Sequence, residues 1–145
     1  MLIYFGHPIN VYGTELEARI VGDVPRILRG SVIENPNQPK HDAGYKRFKR
    51  EYGNGMRYFY QEVLPNCDGG AFLPFGDGAW GSGVAGEALF LLRQHKPIWV
   101  VHMAGSRNGD LVLYPILSEN EVRALSIEET RARVYMSDHT IRPFA

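Results

Sequence analysis

GAFLPFGDGAWGSGVAGEALFLLRQH, residues 70–95, reads as a strand, a glycine-rich loop and a helix in direct succession. Gly70–Phe75 is short, apolar and closed by glycine, which suits a buried strand. Gly76–Gly83 is the loop. Val84–His95 is nearly all apolar and long enough for a helix packed against a sheet. Pro97–Ala104, PIWVVHMA, is a continuous apolar run and predicts a further buried strand. A strand, helix and strand in this order form a parallel crossover unit.

The same alternation extends outward. Leu2–Gly6 predicts a first strand, central because it is apolar on both faces. Thr14 and Glu17 have capping-box spacing, and Leu16, Ile20, Val24, Ile27 and Leu28 follow at helical intervals, with a kink or break predicted near Asp23 from Gly22 and Pro25. Ser31–Glu34 predicts a short second strand. Asn35–Gly55 is a polar excursion with room for one short helix and a basic run, Lys46, Arg47, Lys49 and Arg50. That run is either a solvated helix face or a lid that attracts phosphate. Met56, Phe59, Tyr60, Val63 and Leu64 predict an amphipathic helix closed by Pro65. Leu111–Leu117 predicts a fifth strand, and Ser118–Glu121 and Ser126–Glu129 have the spacing of capped helix starts. The tail from Tyr135 to Ala145 is apolar enough to dock on its own domain or a neighbour. The expected fold is α/β, one domain over 1–145, with a doubly wound, flavodoxin-like or Rossmann-like sheet of about five mostly parallel strands flanked by helices.

Composition narrows the function. At 145 residues and 44% hydrophobic, the chain suits one core without staples. Cys67 is the single cysteine, so no internal disulfide forms and a reducing, cytoplasmic setting is expected. The start MLIYFGHPIN has no basic leader, and no run approaches the ~18 apolar residues of a membrane span. Sixteen basic side chains balance sixteen acidic ones, which disfavours a nucleic-acid polymer or an anionic membrane as partner. The five histidines lack ligand spacing with Cys or Asp, so no metal is expected.

In an open α/β sheet, ligands bind beyond the carboxyl ends of the strands. Gly6-His7-Pro8, Asn35-Pro36-Asn37 and the loop after the third strand all leave such ends. Gly81, Ser82 and Gly83 let the backbone approach a ligand closely, and the helix start beyond them offers free N–H groups, with Ser82 as N-cap. Glu87, in the second turn, would lean back over the loop and be kept ionised by the helix dipole. The loop is neither a P-loop nor a GxGxxG dinucleotide motif. Its glycines could equally shape a strand–helix turn, with Glu87 solvated. Trp80 could stack on a base or close the pocket. Tyr4 could be a core aromatic, Asp68 a strand cap and Asp77 a turn residue. Cys67 should be buried and inert, and Arg131 and Arg133 should face solvent.

Two regions, Ile3-Tyr4-Phe5-Gly6 and the segment from Cys67-Asp68 through Phe72-Leu73-Pro74, Asp77 and Gly81-Ser82-Gly83 to Glu87, resemble the nucleoside 2-deoxyribosyltransferase family and its relatives, the nucleoside 5′-monophosphate N-glycosidases. Lys96-Pro97-Ile98 is similar to that family's lead into its fourth strand. The chain departs from the pattern at Ala88, at Gly69-Gly70, which predicts a looser strand start, at His7, and in the longer Asp77–Glu87 gap. The resemblance implies cleavage or transfer at an N-glycosidic bond without a cofactor. Glu87 would be nucleophile or base, Tyr4 would orient it, and Asp68 and Asp77 would hold the nucleobase and protonate it as it leaves. Gly6, His7, Gly81, Ser82 and Gly83 would contact a small nucleoside or nucleotide. The resemblance also implies a homodimer or larger homo-oligomer. The alternative is a non-catalytic nucleotide-binding or sensing domain on the same fold.

Overall fold

The computed structural model describes residues 1–103 and 109–135. Five strands form one sheet in the order β2-β1-β3-β4-β5. They are β1 (Leu2–Gly6), β2 (Val32–Glu34), β3 (Gly69–Phe72), β4 (Ile98–Met103) and β5 (Leu111–Ile116). The first four run parallel, and β5 is antiparallel to β4. The 104–110 connection is too short for the crossover that a parallel fifth strand would need.

Alternating side chains divide the core between the two faces of the sheet. Ile3, Phe5, Ala71 and Leu73 pack with Val11, Ile20 and Val24. These last two come from helix α1 (Glu15–Ile27). On the other face, Tyr4 and Phe72 pack with Phe48, Tyr58, Phe59, Val84, Ala85, Ala88 and Leu91. That cover consists of α2 (Pro39–Tyr52), a compound helical segment at 56–66, and α4 (Ser82–Arg93). A last helix, α5 (Ile127–Tyr135), follows a single turn at Glu119–Glu121. The docking expected of residues 136–145 lies outside the described residues.

Several local expectations change. Helix α1 runs unbroken through Gly22 and Pro25, because Pro25 stands in the last turn, where one missing donor disturbs little. Its cap is half a capping box: the Thr14 hydroxyl accepts the Glu17 N–H at 3.3 Å, but the Glu17 carboxylate accepts from Gly13 N–H at 3.3 Å rather than from Thr14. The excursion holds a 14-residue helix, α2, started by Pro39 and stopped by Gly53 at φ 72°. The segment after it is not one regular helix. It is an α-turn (α3, Met56–Tyr58), a wide π-type turn (Phe59–Val63) and a tight turn (Leu64–Asn66). Pro65 has no N–H to give the Gln61 carbonyl, so the regular ladder cannot continue there.

The Gly69-Gly70 pair makes the strand start tighter, not looser. A Cβ on Gly69 would lie 2.4 Å from the Pro97 carbonyl oxygen, and one on Gly70 2.5 Å from the Phe72 ring. Cys67 is buried as expected, its thiol 3.4 Å from the Val63 carbonyl, and burial pushes its pKa up to about 12. Among the described residues no helix is long and apolar enough to cross a membrane.

Candidate functional site

Helix α4 leaves the glycine-rich loop and lies across the sheet, which turns Glu87 inward. Its carboxylate accepts a short hydrogen bond from the Tyr4 hydroxyl in the middle of β1. The two residues are 83 apart in sequence, and Glu87 is only 5% exposed. The expected orientation over the loop is therefore replaced by one toward the sheet. The expected ionisation is also reversed. Burial raises the Glu87 pKa to about 8, against the downward pull of the Tyr4 hydrogen bond. A helix dipole is worth at most ~2 kcal/mol, and only near the helix end, while removing a carboxylate from water costs several. Desolvation wins, and Glu87 is mostly protonated at pH 7.

Three phenols lie within electrostatic reach of this carboxyl group, and of them Tyr4 is the one hydrogen-bonded to it. The Tyr4 pKa is raised well above normal, by burial first and then by Glu87. Tyr12, just beyond β1, is raised by burial and by the charges of Glu87 and Glu17. Tyr60 is pushed up to about 12 by burial and Glu87. Tyr60 also lines a cavity of about 440 Å³ on the outer flank of α4, with Gly86, Leu89, Phe90, Arg93 and Gln94. Neither Tyr4 nor Glu87 lines that cavity, so it is a neighbouring groove and not the space in front of the carboxyl group.

The remaining expected site residues are engaged elsewhere. Asp68 lies at the amino ends of β1 and β3, the far end from the loop, where it accepts the Leu2 N–H at 2.7 Å. Its role in the fold is a strand cap. Asp77 makes a two-pronged ion pair with Arg133 at 2.7 and 2.6 Å and accepts the Ala79 N–H at 3.1 Å. The Arg133 bond lowers the Asp77 pKa to about 2, so this carboxylate has no proton to donate near neutrality. Arg133 also lies over the Phe75 ring at 5.2 Å; it does not simply face solvent, as Arg131 does. The pair fastens α5 to the loop. Asp77→Asn should cost no more than ~1 kcal/mol, because the pair is largely exposed and screened. The depressed pKa means this contribution is present above about pH 4 and lost as pH falls through 2. Thermal melts at pH 7 and pH 2 should show a small deficit in the variant only at the higher pH.

His7 is buried. Its Nδ1 lies 2.9 Å from the Phe5 carbonyl and its Nε2 2.7 Å from Glu17, and its ring stacks on Phe5 at 4.0 Å. Burial lowers its pKa despite the pull of Glu17. It ties β1 to α1 and offers no free nitrogen to a ligand. Gly6 faces the Phe72 ring, which a Cβ would meet at 2.4 Å, so Gly6 makes room for packing. Gly81, not Ser82, is the N-cap of α4, and the Ser82 N–H donates to the Thr130 hydroxyl of α5 at 2.8 Å. Gly83 lies open beside Met56. Helix α5 thus covers the helix start expected to receive a phosphate. Trp80 is buried against Phe72 and its backbone pairs with 123–125, which makes it a core residue.

One cluster has no local sequence signal. Glu34, at the end of β2, is the register partner of Tyr4 and shares its face of the sheet. Its carboxylate forms a short hydrogen bond with His41 Nε2 in the first turn of α2. The other ring nitrogen, Nδ1, lies 2.7 Å from the Tyr58 hydroxyl. His41 is 3% exposed. Gly44, one turn along α2, leaves the space the Tyr58 ring fills, since a Cβ there would lie 2.2 Å from that ring. The Phe59 ring packs against both Tyr4 and His41, with ring centroids 6.3 and 5.8 Å apart respectively. Among the described residues no group of three or more His, Cys, Asp or Glu is arranged to hold a metal ion.

Compared with protein-family models, curated proteins and solved structures, the chain matches none of them.

Proposed function

We propose that the chain cleaves the N-glycosidic bond of a nucleoside or nucleoside 5′-monophosphate, or exchanges the base across it. Glu87 attacks the anomeric carbon and Tyr4 holds the carboxyl group in line. The observation that supports this reading best is the buried Tyr4–Glu87 hydrogen bond. Segments 83 residues apart bring a phenol and an acid with a strongly raised pKa together over the middle of β1. The strand order 2-1-3-4 favours the doubly wound, flavodoxin-like reading, in which the usual ligand crevice lies beyond the carboxyl ends of β1 and β3. A carboxyl group with a pKa moved toward 8 in a desolvated site is a recurrent feature of catalytic centres.

In the reaction, ionised Glu87 would bond to the anomeric carbon as the bond to the base nitrogen breaks. Water or a second base would then release the sugar. The substrate cannot reach the carboxyl group in the closed arrangement. Either the Tyr12 segment or the α2–α3 cover must part, and opening is a required step of this proposal. The ligand is a small nucleoside or nucleotide handled in the cytoplasm by a paired chain, with no cofactor, nucleic-acid polymer or membrane taking part. With Thr130 on the α4 start, exposed Lys49 and Arg50 of the α2 basic run would attract a phosphate, since Lys46 pairs with Asp42 at 2.8 Å and Arg47 with Glu62 at 3.2 Å.

Tyr4→Phe tests the pairing. Loss of the orienting hydroxyl should lower base release about tenfold to a hundredfold. That hydrogen bond lowers the Glu87 pKa, so its removal should move the rising limb of the pH–rate profile further above 8. A profile that does not move would remove Tyr4 from the site.

A second reading is a non-catalytic nucleotide-binding or sensing domain. It is favoured by Asp68 and Asp77, both engaged away from Glu87. Nucleotide-induced thermal stabilisation without any product after long incubation would favour it over the enzyme.

A further inference from the structure

Breaking an N-glycosidic bond has two ends, and the reading above supplies only the sugar end. The departing base nitrogen needs a proton, and neither Asp68 nor Asp77 is placed to give one. Among the described residues the buried polar and charged side chains are His7, Glu17, Ser31, His41 and Glu87. His7 and Glu17 bond to each other, and His7 stacks on Phe5, whose side chain belongs to the opposite face of the sheet. His41 is on the face that carries Tyr4, and the Phe59 ring packs against both.

We propose that the Glu34–His41–Tyr58 chain is the proton donor to the leaving base, with the Tyr58 hydroxyl as the group that touches it and His41 and Glu34 as positioning residues behind it. This rests on the N-glycosidic reading of Glu87. The chemistry follows from the hydrogen bonds. Glu34 can only accept when ionised, so His41 presents Nε2–H to it. With neutral His41, the bare Nδ1 accepts the Tyr58 proton. With His41 protonated, Nδ1–H donates to the Tyr58 oxygen and frees the Tyr58 O–H to point elsewhere. Donation then balances. The Tyr58 proton passes to the base nitrogen as the glycosidic electron pair moves onto that nitrogen. The Nδ1 proton passes to the Tyr58 oxygen, and a neutral imidazole stays bonded to Glu34. Lys40 lies 3.4 Å from the same Glu34 carboxylate. Tyr4, which holds the nucleophile, and Glu34, which anchors the donor chain, are register partners on neighbouring strands, so both assemblies lie on one face of the sheet.

The test compares two substrates: a purine nucleoside 5′-monophosphate, and its N7-methyl derivative, whose base is already cationic and leaves without taking a proton. Tyr58→Phe removes one oxygen and keeps the ring in the Gly44 gap. His41→Gln removes the imidazole. Each variant should lose about a hundredfold or more in turnover of the ordinary substrate, and should stay within about threefold of wild type on the methylated one. Should His41→Gln fail to fold, Tyr58→Phe decides alone. Equal losses on both substrates would make the chain a structural clamp and overturn the proposal, as would no loss on either. If the wild-type protein releases base from neither substrate, the N-glycosidic reading fails instead, a result distinct from either of those.

Discussion

Glu87→Gln should reduce base release about a thousandfold or more while making the protein more resistant to unfolding at alkaline pH. The first effect follows from removing a nucleophile, because groups that act as one unit lose most of their catalysis when one member is lost. In the wild type only the ionised fraction reacts, so the rate should climb with pH and level off above about 8. The second effect follows from linkage. The folded-state pKa of Glu87 is raised from its ordinary 4.5 to about 8. Between these values the unfolded chain has lost this proton and the native state has kept it. Wild-type stability therefore falls as pH rises through that window, by several kcal/mol in all. Gln carries no charge and can still accept the Tyr4 hydroxyl, although its second amide hydrogen costs about 1–3 kcal/mol if unpaired. The variant should thus melt at or slightly below the wild-type temperature at pH 5 and above it at pH 8.5. A difference in melting temperature that stays flat with pH would show that burial does not hold the proton on Glu87. Unchanged base release would remove Glu87 from the chemistry.

Gly69→Ala should be the most damaging single-methyl change outside the site. The added carbon would meet the Pro97 carbonyl oxygen at 2.4 Å, and the obstacle is backbone, which cannot rotate away. Gly69 opens β3, and Gly70 N–H donates to that same Pro97 carbonyl at 3.1 Å. To admit the methyl, β3 and β4 must separate where their pairing begins. Overpacking of this kind costs about 3 kcal/mol, roughly 10 °C in melting temperature for a chain of this size. Gly22→Ala is the control. Gly22 is an exposed α1 residue with nothing within 4 Å of an added Cβ, and Ala there should stabilise by about 0.5–1 kcal/mol. If both variants melt alike, the close approach of β3 and Pro97 is wrong.

These two residues show where a sequence reading is strong and where it stops. The pattern around 70–95 is enough for a strand, a loop and a helix, because burial of an apolar stripe is a local, periodic requirement. Element types follow in the same way for β1, α1, β2, β4 and β5. The direction of β5 follows only from the length of its connection. The glycines at 69 and 70 read locally as looseness, and only the neighbouring backbone of β4 turns them into a steric necessity. The 56–66 segment matches a helical pattern without a gap, yet Pro65 widens it into turns of three kinds.

The candidate site divides along the same line. From sequence, Glu87 and Tyr4 could be chosen as partners only by resemblance, and their hydrogen bond is a tertiary fact. The protonation of Glu87 is not legible locally, because a helix start is visible in sequence and burial is not. Asp68, Asp77 and His7 were plausible by position at strand ends. Each found a nearer partner, the Leu2 amide, Arg133 and Glu17 respectively, and a satisfied polar group is withdrawn from other work. Glu34, His41 and Tyr58 carry no mutual spacing at all.

What the sequence determined by itself was the set of elements and their order, since hydrophobic period, capping residues and breakers act within a few residues. What the tertiary structure decided was which acid is buried, which is paired and which face each shares. Those properties depend on dielectric and on contacts between segments, and neither exists until the sheet has closed against its helices.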